Sequence, residues 1–215
     1  MHASSDIRIV KCLDGLHYSF EILRYVYSSL HEACAKIKDD QEALIPAIWL
    51  CWSFVDVLHR IREIAQALPG LSGKDKELVS FLKETNLAEE YRHYIQHLRA
   101  ELSKREVNPF PVWGSLSWVD PKDSSCTHTV FIGAQISSTS YSGSVFDTVE
   151  RKWVSKVCLG VREKSFNFDP IFEACTRFQK YIVPWALSTY KPRIRLIAKV
   201  PIVTMQVVES KRSLT

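Results

Sequence analysis

The spacing of apolar residues divides the chain into a helical first part and a β-rich second part. Up to about residue 107, apolar residues recur every three or four positions, which is the period of a helix packed on one face. After Asn108-Pro109-Phe110-Pro111, β-branched residues, serine and threonine dominate. We therefore expect two domains: a helical one over residues 1–107 and a β-rich C-terminal extension over residues 108–215.

Four helices are predicted in the first part, at about residues 6–38, 41–68, 74–83 and 87–104. Asp39 or Asp40 can cap the second helix, and Pro69-Gly70 ends it. Its middle is apolar on nearly every side, so we expect it at the centre of an antiparallel four-helix bundle. Its longest apolar run, residues 43–55, is too short to span a bilayer, and no membrane segment is predicted.

The second part contains short strand candidates at residues 112–119, 128–136, 146–153, 156–161 and 194–208. Residues 137–144 are rich in serine and glycine and indicate a loop. Asp169-Pro170 is a typical helix start, and that helix is expected to reach about residue 181, before Pro184 disturbs it. The predicted fold class is thus α+β: a four-helix bundle followed by a small antiparallel β-rich region with one helix.

Composition narrows the functional classes. Apolar residues make up 46% and charged residues 24%, as in folded globular proteins, and the net charge of +4 permits an RNA partner without requiring one. The six cysteines form no C-x-x-C pair and the first ten residues hold no apolar run, which favours a reduced, cytoplasmic location. Cys126 and His128 lack a second pair at zinc-site spacing, and no glycine-rich phosphate loop is present, so neither a metal nor a cofactor is predicted.

The strongest candidate for chemistry is the segment Tyr91-Arg92-His93-Tyr94-Ile95-Gln96-His97-Leu98. Arginine is a permanent cation that binds phosphate, and histidine transfers protons near neutral pH. At about 100° per residue, His93 and His97 share one face of a helix, and the long Arg92 side chain can swing toward them. This combination indicates chemistry on a phosphodiester.

Arg92-x4-His97, late in a helical bundle, resembles the R-x(4–6)-H signature of the HEPN superfamily. The polar residue that often follows the arginine in that family is here His93. Asp56, in the second predicted helix, is similar to the acidic or polar residue that many HEPN proteins place opposite the motif. The resemblance covers roughly residues 6–106 and does not extend to the β-rich part.

The resemblance implies a metal-independent endoribonuclease, of a kind often found as a toxin or defence effector. Such domains typically work as homodimers in which two motifs meet in one cleft, and a protein antitoxin is a further expected partner beside RNA. His97 would be the general acid or base, Arg92 would steady the phosphate, His93 would orient the scissile group or assist proton transfer, and Asp56 would hold Arg92 or a histidine in position.

Other interpretations of the same residues stay open. The chain could be a non-catalytic HEPN-like module that binds nucleotide, RNA or a protein. His97 could instead pack at a helix interface, with Arg92 paired to Glu89, Glu90 or Asp56. His93 and His97 also have metal-ligand spacing, although the sequence offers no obvious third ligand.

Weaker candidates surround this motif. Arg24-x6-His31 satisfies the same loose pattern, but Tyr25 follows the arginine where a polar residue is expected, so Arg92 and His97 are preferred. His59 and its polar neighbours in the second helix either extend the polar cleft or form the solvent end of a core helix. Several aromatic residues could stack on bases or fill the core: Phe110, Trp113, Trp118, Tyr141 and Trp153.

Overall fold

The helices of the first part occupy most of the predicted positions. In the computed structural model, which describes residues 2–104, 110–133 and 143–190, α1 spans His2–Lys36, a short 3-10 helix spans Gln41–Ala43, and α2 spans Leu44–Ala67. The next helices are α3 (Lys76–Glu84), α4 (Leu87–Gln96) and α5 (Leu98–Leu102). The fourth predicted helix is therefore two helices, because the chain leaves helical geometry at His97 (φ −107°, ψ 19°).

Local side chains explain where these helices begin. The Asp40 carboxylate accepts a hydrogen bond from the Glu42 amide at 2.9 Å, and Asp75 caps α3 by accepting from Glu77 and Leu78. Pro46 lies in the first turn of α2, where a missing amide donor removes no helical hydrogen bond.

α2 is the central helix of the core, as its apolar composition predicts. Phe54, Leu58 and Ile61 are completely buried. The segment Gln41–Ala67 is also long and apolar enough to cross a membrane, as core helices of soluble proteins often are. Half of its most apolar 18-residue stretch is buried within this chain.

The second part forms an antiparallel sheet in the order β2-β1-β5-β6, with β1 at Ser115–Val119, β2 at Thr127–Phe131, β5 at Val157–Val161 and β6 at Lys164–Asn167. β1 starts after Gly114, a position that only glycine can occupy. Its φ is +88°, and a Cβ atom placed there would lie 2.2 Å from the Gly160 carbonyl oxygen.

Two strand predictions need correction. The predicted strand 146–153 is a small hairpin of β3 (Phe146–Asp147) and β4 (Lys152–Trp153), because Asp147 accepts from two following amides and turns the chain. β6 was not predicted at all. The candidate at 128–136 is present as β2 up to Phe131, and its residues from 134 on lie outside the described residues. The same holds for three other predictions: the strand at 194–208, the domain boundary at 107 and the role of Tyr141.

α6 (Phe168–Tyr190) returns to the helical layer and packs on α1 and α3. Its predicted end near residue 181 is wrong, since the helix continues through Pro184. Burial of Ile182 and Ala186 on either side of the exposed proline offsets the one lost backbone hydrogen bond. Helices and sheet share a hydrophobic core, in which the Phe54 ring contacts the rings of Phe166 and Phe168.

Candidate functional site

The candidate site is built where the polar faces of α2 and α4 meet. Asp56 and His59 are three residues apart on α2, so they project to the same side of that helix. Glu89 and Arg92 have the same spacing on α4. The packing of these two helices places Asp56 opposite Arg92 and His59 opposite Glu89.

Arg92 is held by Asp56. Its Nη1 lies 3.3 Å from Asp56 Oδ1, while Arg60 Nε donates to the other carboxylate oxygen at 2.9 Å. The Arg92 side chain keeps 32% of its surface exposed. Arg92 Nε is buried and has no acceptor among the described residues. The arrangement thus presents a cation that Asp56 orients.

His59 is oriented by Glu89 in the same way. Its Nδ1 lies 3.0 Å from Glu89 Oε1, and the buried Arg62 donates to that same oxygen at 2.7 Å. Partial burial works to raise the pKa of Glu89, but the hydrogen bonds from Arg62 and His59 outweigh it and hold the pKa below its usual range. An ionised carboxylate on Nδ1 favours the tautomer that leaves Nε2 as a proton acceptor.

His93 and His97 lie side by side, although α4 ends at Gln96, between the two residues. Their ring centroids are 4.2 Å apart, both side chains are exposed, and the His97 amide still donates to the His93 carbonyl at 3.0 Å. The proximity expected from their spacing is therefore present, with His97 at a helix junction instead of inside a helix.

A cleft of about 820 Å³ runs beside α4 and is closed on its far side by the turn between β5 and β6. Its charged and polar lining combines both signs: His59, Asn86, Glu89, Glu90, Arg92, His93, Gln96, Glu101, Arg162, Glu163 and Lys164. Of the four residues predicted from the sequence, Arg92 and His93 line this cleft. Asp56 supports Arg92 from behind, and His97 contacts His93 without belonging to the lining that the described residues form.

The β5–β6 turn brings two cations to the cleft. Arg162 lies over the Tyr94 ring, 5.0 Å from its centroid, and pairs with Glu101, while Lys164 pairs with Glu90. Arg162 adopts a left-handed φ of 57°, which costs a residue with a side chain roughly 1–3 kcal/mol. These contacts fix the far wall of the cleft to α4 and α5.

No family model, curated protein or solved structure matches this chain.

Three residues that line the cleft were not predicted as site residues: the sequence left the role of His59 undecided and gave no reason to choose Arg162 or Lys164. His59 carried a signal, its three-residue spacing from Asp56, but periodicity alone cannot tell a polar cleft from a solvated helix end. Arg162 and Lys164 carried none, because only strand pairing brings the turn that holds them to α4.

The second match to the loose motif does not form a comparable site. Arg24 pairs with Glu21 on its own helix, and His31 is turned inward, with its Nε2 4.0 Å from Asp169 and its ring against Tyr27. Burial lowers the pKa of His31, and nearby Asp169 only partly opposes this.

Among the aromatic candidates, Trp118 is a core residue, whereas Trp113 and Trp153 are about half exposed and none of the three lines the cleft. Tyr94 lines it instead, beneath Arg162. His59, Glu63 and Glu89 also place ligand atoms within 4.8 Å of one another, but the Glu89 oxygen near His59 accepts from Arg62, a buried permanent cation that would lie against any bound metal ion.

Proposed function

We propose that this protein is a metal-independent endoribonuclease of the HEPN type, acting in the cleft between α4 and the β5–β6 turn. One observation carries the proposal: Arg92, His59 and His93 line the same cleft, and carboxylates from the facing helix hold two of them in place. A phosphate-binding cation flanked by proton-transferring imidazoles is what cleavage of RNA through its own 2′-hydroxyl requires.

Phosphate binding would rest on Arg92. Its guanidinium can donate two parallel hydrogen bonds to a phosphate, which an ammonium cannot match. Lys164 on the opposite wall suits a neighbouring phosphate of the strand, since the side chains of Lys164 and its partner Glu90 are 56% and 38% exposed and a polyanion can displace the carboxylate. The partner of Arg162, Glu101, is only 16% exposed. The Arg162 guanidinium, which lies over the Tyr94 ring, offers a flat surface on which a base can stack.

Proton transfer would use two imidazoles. His59, which Glu89 orients through Nδ1, takes the proton from the 2′-hydroxyl on its Nε2 as that oxygen attacks phosphorus. A protonated histidine from the His93–His97 pair gives a proton to the 5′-oxygen as the bond from phosphorus to that oxygen breaks. The products are a 2′,3′-cyclic phosphate and a 5′-hydroxyl, and the step needs no other reactant.

The proposal extends to the assembly. In this proposal α1 to α4 form the HEPN-type four-helix unit, and the protein is a cytoplasmic homodimer. Its substrate is RNA, and an antitoxin is a possible protein partner. Support for the dimer is that His97 is exposed beside the cleft, where a second copy could contribute to the same site.

The test compares wild type with His97→Ala, His93→Ala and His59→Gln on a defined RNA in EDTA. We expect wild type to release 2′,3′-cyclic phosphate ends, and each variant to be slower by roughly 10²–10⁴-fold, the usual contribution of a general acid or base. His17→Ala is the matched control, because His17 is an exposed histidine of α1 outside the cleft and its loss should leave the rate unchanged.

Absence of cleavage by a folded wild type would refute the enzyme proposal. RNA or nucleotide binding that persists in that case and is lost in Arg92→Ala would favour the non-catalytic binding module. Cleavage that stops in EDTA and returns with added metal would contradict the metal-independent mechanism.

A further inference from the structure

A second cluster of reactive side chains lies at the β2 edge of the sheet, away from the cleft at the β6 edge. Asp120 follows β1, Cys126 precedes β2, and His128 is the second residue of β2. Cys126 and His128 are two residues apart, so in extended chain they project to the same face. One ligand atom from each of the three residues lies within 4.8 Å of the other two.

The backbone holds this cluster together. The Asp120 amide donates to the Cys126 carbonyl at 2.9 Å, and the Cys126 amide donates to the Asp123 carbonyl at 2.9 Å. Asp120 is buried, and its Oδ2 lies 2.8 Å from His128 Nε2. Neither the thiol nor the imidazole is sealed off, since both residues have intermediate exposure.

Thiolate, imidazole and carboxylate are the three ligand types that zinc takes from proteins. Zinc bonds of 2.0–2.3 Å in a tetrahedron set ligand atoms about 3.3–3.6 Å apart. The 2.8 Å contact between Asp120 and His128 would need to widen by roughly half an ångström, and no separation among the three ligand atoms would need to close by more than about 1 Å. Both changes are within reach of side-chain rotation. Three protein ligands leave a fourth position for water.

We propose that Asp120, Cys126 and His128 bind one Zn²⁺ ion and thereby clamp the loop between β1 and β2. The sequence predicted no zinc site, because it showed only the pair Cys126 and His128. The third ligand, Asp120, follows β1 and is brought to the pair by the pairing of β1 with β2. The inference does not depend on the proposed RNA cleavage, since the cluster and the cleft lie at opposite edges of the sheet.

Lys38 forms an ion pair with Asp120, and this pair leads to a specific test of zinc binding. Its ammonium lies 3.4 Å from Asp120 Oδ2, although 61% of its side chain is exposed. It occupies the carboxylate that the zinc ion needs and supplies a positive charge there. Lysine and zinc therefore compete, and Lys38→Gln should bind zinc more tightly than wild type.

The first measurement uses reduced full-length wild type. Cys126 has intermediate exposure while the other five cysteines are buried, so DTNB should modify one thiol quickly. Added Zn²⁺ should slow that reaction at least tenfold, and Co²⁺ in its place should give a thiolate-to-cobalt absorption band at one equivalent. An unchanged DTNB rate, or no such band, would overturn the proposal without reference to any variant.

Variants then test the ligand set. Cys126→Ser should lose the cobalt band, and His128→Ala and Asp120→Asn should each weaken zinc binding at least tenfold, while Lys38→Gln should strengthen it severalfold. Circular dichroism before metal is added checks that each variant is folded. Zinc binding to folded Asp120→Asn and His128→Ala with wild-type affinity would overturn the proposed ligand set.

Discussion

Asp56 shows how one carboxylate can set the geometry of the candidate site. It binds Arg92 from α4 and Arg60 from its own helix, so its two oxygens are divided between a site residue and a surface residue. Both partners of the Asp56–Arg92 pair are about one-third exposed, and pairs of this kind contribute only about 0–1 kcal/mol to stability. Its main consequence is therefore the direction in which the Arg92 guanidinium points.

Asp56→Asn should lower kcat for RNA cleavage by about tenfold or more while changing the thermal midpoint little. The amide preserves shape but removes the charge that orients Arg92, and a small displacement of a phosphate-binding group is costly to the rate. Rates and KM on the defined RNA, with thermal unfolding of the same samples, check this. Arg60→Gln is the control, since it removes the other partner of Asp56 and should leave kcat within about twofold. Equal losses in both variants would contradict the orienting role.

At the scale of elements, the cleft exists because α4 is fastened to the β5–β6 hairpin. The Tyr91 hydroxyl is buried and lies 2.8 Å from the Leu159 carbonyl oxygen and 2.9 Å from that of Lys164, and it can donate to one of them at a time. Burial also raises the pKa of Tyr91, so the hydroxyl stays protonated as the donor at physiological pH. This contact joins a helix and a strand pair some seventy residues apart in sequence.

Tyr91→Phe should destabilise the protein by about 1–3 kcal/mol, because buried carbonyl groups lose a hydrogen-bond donor. Chemical denaturation monitored by circular dichroism measures this. Tyr94→Phe is the matched control: its hydroxyl donates to Val112 in a half-buried place, so a smaller loss is expected. A smaller destabilisation in Tyr91→Phe than in Tyr94→Phe would contradict the fastening role of Tyr91.

For the whole molecule, the proposed homodimer predicts that two copies contribute residues to the candidate site. A single chain already places Arg92, His59 and His93 on one cleft, whereas His97 contacts His93 from outside the lining. In the proposed homodimer, His97 of one copy would serve the cleft that holds Arg92 of the other.

Mixing Arg92→Ala with His97→Ala should therefore restore part of the activity, up to about a quarter of the wild-type rate per protein, because some mixed dimers would carry one intact composite site. Activity of the mixture after equilibration, with light scattering to establish a dimer, measures this. Two copies of the same variant form the control and should stay inactive. An inactive mixture of proven heterodimers would show that each site is built within one chain.

The sequence by itself determined the features that depend on near neighbours. Apolar periodicity located α1 to α4, Asp40 acts as a cap through an amide two residues away, and the spacing of His93 and His97 placed their rings together. Asp56 was predicted as a partner of Arg92 from the resemblance to the HEPN superfamily, and the two side chains lie 3.3 Å apart.

Tertiary structure alone decided the contacts between distant segments. The pairing of His59 with Glu89, the arrival of Arg162 at the cleft, and the addition of Asp120 to Cys126 and His128 depend on how helices and strands pack or pair. Local pattern also failed at Pro184, where burial on both sides of the proline outweighed its own preference to end a helix. The free energy of packing depends on contacts throughout the core, so it cannot be predicted from the residues next to one position in the sequence.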